Sequence, residues 1–214
     1  MDTLTQIALG AAVGEAVMGR QIGRKALLWG GIAGTIPDLD VFVPLGNAVM
    51  DFTYHRAASH SLFVLALLTP LLVWLVNRIH PQHRDLTKRW AFMLYAVFVT
   101  HVLLDSFTTY GTQIFWPIDN TPVALSTIFI IDPLYTLPLL LGLVLTAAFR
   151  SHRRWRWNTA GLVLSTGYAA WSLLAQAHVT GIVRGAPEAR VLSPEDILVV
   201  PTPFNTLLWR VVLM

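Results

Sequence analysis

Four long apolar runs punctuate the chain, at residues 61–77, 90–107, 133–149 and 158–177. Each approaches the ~20 residues a helix needs to cross a hydrocarbon core, so each predicts a membrane-crossing helix. Two shorter apolar runs, residues 4–18 and 26–36, contain Gly10, Gly14, Glu15, Gly30, Gly31 and Gly34. They predict a tight helical hairpin in which small residues let the two backbones approach closely. The expected fold is an all-α polytopic membrane helical bundle of about six membrane segments, the first two short, with irregular external connections. Residues 1–214 are expected to form a single integral membrane domain. Residues 178–214 hold Pro187, Pro194, Pro201 and Pro203 and make no span, yet Val191, Ile197, Leu198, Val199 and Val200 are too apolar for a free tail. That C-terminal segment is expected to pack on the external face that carries the site.

Composition agrees: 55% of residues are hydrophobic and 13% charged, with a mean hydropathy of +0.58, far from soluble-protein usage. There is no cysteine, which excludes disulfides and thiolate metal sites. The formal charge of +3 is modest, but the cations gather in the connections at residues 20–25, 78–89 and 150–156. If all six segments cross, these connections share one face, and the positive-inside rule makes that face cytoplasmic. The same rule and interfacial Trp anchoring account for the Arg-Trp cluster at 150–156, so no nucleic acid is expected as partner. The start Met1-Asp2-Thr3 has no basic n-region, so the first segment is expected to be retained and not cleaved as a signal peptide.

Most acids and histidines fall on the opposite, external side: Asp2, Asp38, Asp40, His55, His60, His101, Asp105 and Asp132. His101 and Asp105 stand four residues apart inside an apolar run, on one helix face, where both side chains can reach a single ion and a divalent cation offsets the cost of a buried carboxylate. Asp38 and Asp40 follow Pro37 and point the same way if the segment is extended; as a turn, Asp38 caps a helix instead. His55 and His60 flank Arg56, whose guanidinium fork suits phosphate or carboxylate. The hydroxyl-rich exit from Ser106 to Thr112 can orient neighbouring groups or merely close a helix. Asp132 precedes Pro133 in the manner of a helix cap. Glu15 reads as a buried, protonated or hydrogen-bonded carboxyl, and His80, His83 and His152 as ordinary solvated side chains. Carboxylates and neutral imidazoles without thiolates suit Zn most, with Mn or Fe as alternatives, and the supply of ligands suffices for one or two ions.

Taken together, Met1-Asp2-Thr3-Leu4-Thr5, Gly14-Glu15, Pro37-Asp38-Leu39-Asp40, His55-Arg56 with Ser59-His60-Ser61, His101 with Asp105, Tyr110-Gly111 and Asp132-Pro133 resemble the YdjM-like family of inner-membrane metal-dependent hydrolases. The resemblance covers nearly the whole chain, and Pro201 to Asn205 with Trp209-Arg210 look like the family's longer members. The family is in turn distantly similar to the zinc-dependent phospholipase C and single-strand nuclease superfamily. That resemblance implies that His101 and Asp105 form an HxxxD metal motif, with Asp38, Asp40, His55 and His60 supplying the remaining ligands. One departure stands out, since Gln6 occupies a position where family members often carry His.

The functional expectation is a metal-dependent hydrolase, phosphodiesterase- or phospholipase-like, in a bacterial or archaeal cytoplasmic membrane with its site at the external surface. Its substrate is expected to be a small phosphoester, most plausibly a membrane lipid. Arg56 would neutralise the phosphate and Asp132 would take a proton from water. The alternatives are a metal-ion transporter or sensor, because intramembrane His and Asp also line ion pathways, and a scaffold held by a metal or polar staple.

Overall fold

A computed structural model describes residues 1–43, 46, 56–149, 153–186 and 197–213. It is mostly helical. Helix α1 (Thr3–Ile22) starts at Asp2, whose carboxylate accepts from the Thr5 amide, and is followed after Gly23 by α2 (Arg24–Thr35). A 3-10 turn over Pro37–Phe42 and another over Ala58–His60 lead into α3 (Leu62–Ile79), capped by Ser61. A third, Pro81–Leu86, connects to α4 (Thr87–Ser106). Then come α5 (Pro133–Ala148), capped by Asp132, and α6 (Trp155–Gly185). A two-stranded antiparallel hairpin, β1 (Ile197–Pro201) with β2 (Trp209–Leu213), ends the described chain.

Two helical hairpins are built on facing glycines. In the first, a Cβ at Gly10 would meet the Gly30 carbonyl and one at Gly14 the Ala26 carbonyl; in the second, a Cβ at Gly142 would stand 2.7 Å from the Trp157 carbonyl oxygen. Only hydrogen fits at these crossings, so van der Waals contact runs backbone to backbone. The expected tight hairpin of the first two segments is therefore present. Its first arm is not short, however: α1 has 20 residues, whereas α2 has 12 and rises only about 18 Å.

One described helix, Leu62–Ile79, is long and apolar enough to cross a membrane by length and composition, and Pro133–Ala148 is a shorter apolar helix. Bulky apolar side chains also face outward, among them Leu67, Leu71, Trp74, Leu137, Leu141, Val144, Val163 and Leu174. The interior has two clusters. One gathers Met18, Leu65, Trp90, Met93, Val97 and Phe98, and the other Leu9, Leu104, Ile128, Tyr135 and Leu139.

Several expectations at the periphery change. The C-terminal segment is not wholly irregular: α6 runs 31 residues, past the expected end of the last apolar run, and the apolar residues from Ile197 pair as a strand. Gln176 of α6 donates to the Val199 carbonyl and so fastens the hairpin to the helix. His80 is not simply solvated, since it accepts from the Trp29 indole at 2.9 Å and stacks on Trp90. Glu15 is an ion-paired carboxylate: Arg154, from the basic cluster, reaches it at 3.3 Å and also donates to the Gly19 carbonyl. This pair ties the first hairpin to the second. His152 lies outside the described residues.

Candidate metal centre

Asp38, His60, His101 and Asp105 converge, each offering one ligand atom, all within 4.8 Å of one another. His101 and Asp105 come from one face of α4, as their spacing of four predicts, with Nε2 and Oδ2 3.6 Å apart. His60 closes the 3-10 turn before α3, and its Nε2 lies 3.1 Å from Asp105 Oδ2 and 3.2 Å from His101 Nε2. Asp38 Oδ1 stands 3.5 Å from both imidazole nitrogens. A tetrahedral ion with bonds of about 2.0–2.1 Å spaces its ligand atoms roughly 3.3–3.4 Å apart. Five of the six edges of this quartet fall close to that spacing.

The proton positions support the same conclusion. Ser59 Oγ lies 2.6 Å from Asp40 Oδ2 and 2.9 Å from His60 Nδ1. A hydroxyl has one proton, and the carboxylate can only accept, so Ser59 donates to Asp40 and receives from His60 Nδ1–H. The Gly34 carbonyl, 2.9 Å from His101 Nδ1, likewise can only accept. In its neutral form each imidazole therefore turns a lone pair towards the centre, facing the other ring and two carboxylates. Such a gathering of acceptors calls for a cation, and outer hydrogen bonds of this type are how proteins fix metal-binding histidines. Burial opposes charge on Asp38, but hydrogen bonds to His101 and His60 hold its carboxyl well below the usual range. Burial also opposes charge on His60, yet its contacts with Asp105 and Asp38 push it above the usual imidazole range. Both shifts reflect one preference of the cluster, for positive charge. Asp38 Oδ2 is buried without a hydrogen-bond partner among the described residues, a further acceptor left for a ligand.

One expected ligand and the expected proton acceptor take other places. The Asp38–Asp40 stretch is a 3-10 turn and not extended, so the two carboxylates diverge, Asp38 to the Nε2 side of His60 and Asp40 to its Nδ1 side. Asp40 thus positions His60 through Ser59 and also accepts from the Arg56 amide at 3.1 Å. Asp132, expected as proton acceptor, is not in the quartet. Its carboxylate accepts from the Leu134 amide and the Tyr168 hydroxyl, the arrangement of a helix cap. His55 lies outside the described residues. The quartet as described is sized for one ion.

Around Asp105 the charge is balanced by cations. Arg56 Nε lies 3.5 Å from Asp105 Oδ2, and the Met1 amine is buried against Oδ1. Gln6 donates to the same Oδ1 at 3.0 Å, so the side chain that departs from the family pattern touches the centre without joining its ligand atoms. Arg56 adopts a left-handed backbone, φ 63°, disfavoured for a side chain of this size and held by the Asp40 contact and by Gln113, whose amide donates to the Arg56 carbonyl. Its guanidinium meets Thr108 Oγ1 at 3.4 Å and lies 5.6 Å from the centre of the Tyr110 ring. The hydroxyl-rich exit of α4 therefore orients this cation. Sequence reasoning missed Ser59 and the Gly34 carbonyl; a hydroxyl next to a histidine was the available signal for the first, and nothing marks the second before the hairpin is built.

With that geometry in place, comparison with known proteins gives a family. Residues 1–179 match the model of the YdjM inner membrane protein family. The chain belongs to that family. It is 31% identical over 140 residues to the uncharacterized protein YfhP of Bacillus subtilis strain 168, a match covering 62% of this chain and 42% of the relative, so the chain spans less than half of that protein's length. No solved structure matches. Membership places this chain among membrane proteins, and all four converging residues lie within the YdjM match, whereas the β-hairpin lies beyond it.

Removing the Ser59 hydroxyl frees His60 to turn and leaves Asp40 without that donor. Ser59→Ala is expected to weaken metal affinity by about 10–100-fold with little change in folding. Competition titration against a chelating dye checks this, and unchanged affinity would show that the Asp40–Ser59–His60 chain does not orient the ligand.

Proposed function

We propose that this protein is a membrane-embedded, metal-dependent hydrolase of a phosphoester, with Asp38, His60, His101 and Asp105 holding one divalent ion, most plausibly Zn. The supporting observation is the near-tetrahedral quartet with a buried guanidinium directly beside it. When bound, the ion acidifies a water molecule and polarises a phosphoryl oxygen. Arg56, fixed by Asp105, Thr108 and Tyr110, binds the phosphate and offsets its charge. The second oxygen of Asp38, which has no hydrogen-bond partner among the described residues, accepts the proton in the role first given to Asp132. His101 and His60 bind through Nε2 because their Nδ1 protons are committed to Gly34 and to Ser59.

In this reading all six α-helices lie in the membrane, with the basic connections cytoplasmic and the centre at the external surface. The outward apolar side chains and the charge distribution support it. A site at the ends of helices admits a lipid headgroup while its chains stay in hydrocarbon, which favours a lipid phosphoester.

The test uses protein purified without chelator into nanodiscs, assayed against phosphatidic acid, an isoprenoid phosphate and a nucleotide ester. One ion per chain is expected, with hydrolysis lost on chelation and restored by Zn. Retained metal with no turnover of any ester would overturn the hydrolase. Ion flux into liposomes that depends on His101 would favour a transporter instead, a reading that the pairing of Glu15 with Arg154 disfavours because it engages the acid that lies deepest in the first segment.

A further inference from the structure

The β-hairpin, the loop after α4 and the segment before α5 enclose a cavity of about 400 Å³. This lies in the range of small-molecule sites. Thr108 and Tyr110 line one side, Phe129, Val200 and Pro201 give it an apolar body, and Arg210 of β2 is its one charged lining residue. The metal quartet does not line the cavity; Arg56 stands between the two, touching Asp105 on one side and Thr108 and Tyr110 on the other. Arg210 has no ion pair among the described residues, in keeping with a cation reserved for a ligand. An apolar chamber with one guanidinium, joined to the centre through a second, matches an anionic head on an apolar chain.

We infer that this cavity is the substrate subsite, that its occupant is an amphiphile bearing a phosphate-type head on an apolar chain, and that Arg210 receives the head while the apolar residues of the hairpin set the preference for it over a water-soluble ester. The hairpin lies beyond residues 1–179, the part matched to the family, so this preference belongs to the C-terminal addition and not to the shared core. The inference rests on the phosphoester reading of the centre, but its test reads binding, so the two fail separately.

Metal-loaded protein in nanodiscs of uncharged lipid is titrated with dodecylphosphonate and with methylphosphonate, neither of which can be hydrolysed, and followed by phosphorus NMR. Dodecylphosphonate is expected to bind at least tenfold more tightly. Arg210→Gln should weaken both probes by about tenfold, the loss of one charge-assisted contact to their common head, and Val200→Trp, which fills the chamber, should weaken dodecylphosphonate at least as much while sparing methylphosphonate. Both variants should keep their metal, and Arg210→Gln, at an exposed position, its thermal midpoint. Comparing wild type with variant cancels partition of the probe into the bilayer. Selective binding without turnover of any ester would remove the hydrolase and leave the subsite standing. Equal binding of the two probes, or full dodecylphosphonate affinity in either variant, would overturn the subsite.

Discussion

Asp105→Asn is expected to leave the protein without bound metal and to lower its folding stability even when no metal is present. Asp105 is fully buried and serves two neighbourhoods at once. Oδ1 receives the Met1 amine and Gln6, while Oδ2 faces His60, His101 and Arg56. The amide is nearly isosteric, so no cavity forms, but the negative charge that faces the buried Arg56 guanidinium is gone. Breaking a buried pair in this way costs about 3–5 kcal/mol, a large share of the roughly 5–15 kcal/mol that holds a typical domain together. The amide also presents a donor where the quartet needs an acceptor. Metal content should fall from about one ion per chain to near zero, and the thermal midpoint, which in wild type should drop on chelation, should be low and indifferent to chelator in the variant. Asp132→Asn serves as the comparison. Its amide oxygen keeps the cap contact, since asparagine caps as well as aspartate, and only the acceptor for Tyr168 is lost, so stability should fall by about 1 kcal/mol while metal is retained. Full metal content in Asp105→Asn would remove Asp105 from the ligand set.

The difference between these two aspartates shows what the sequence could and could not convey. The spacing of His101 and Asp105 in an apolar run fixes a shared helix face, and nothing in the tertiary structure alters that local geometry. Asp132 before Pro133 carried an equally local signal, that of a cap, and the structure follows it in preference to the catalytic role suggested by its position. Asp38 and Asp40 were ambiguous because an Asp-x-Asp pair points one way on a strand and two ways on a 3-10 turn, and the choice between these depends on what the chain must reach after α2. His60 and Asp38 join the centre only through long-range closure. The site also leans on groups with no sequence signature, such as a backbone carbonyl at Gly34. On the larger scale the apolar runs located the helices and the glycines located the first hairpin. The β-hairpin was less legible because a short apolar stretch among prolines fits strand and packed loop equally well.

The glycines of the first hairpin give the second large effect, because they set the site's geometry from a distance. A Cβ at Gly30 would meet the Gly10 carbonyl and come within 3.1 Å of the Gly14 Cα. Backbone cannot move aside as a side chain can, so Gly30→Val must push α1 away from α2. Overpacking of this kind costs about 1–3 kcal/mol and more where backbone is struck. The consequence reaches the centre, since α1 carries Gln6, which donates to Asp105, and α2 ends in the Gly34 carbonyl that fixes His101. A Cβ at Gly34 itself would lie 2.6 Å from the Gln6 carbonyl oxygen, so these two contacts share one narrow crossing. Gly30→Val is therefore expected to lower both the yield of folded protein and, in what folds, metal affinity by at least tenfold. Gly31→Ala, one residue along the same helix, meets nothing closer than 3.5 Å and should be neutral or mildly stabilising, as alanine favours a helix over glycine. Thermal melts and metal titration of the two variants side by side decide the matter: if Gly31→Ala disturbs the centre as much as Gly30→Val does, the effect comes from helix propensity and not from the close approach of the two backbones.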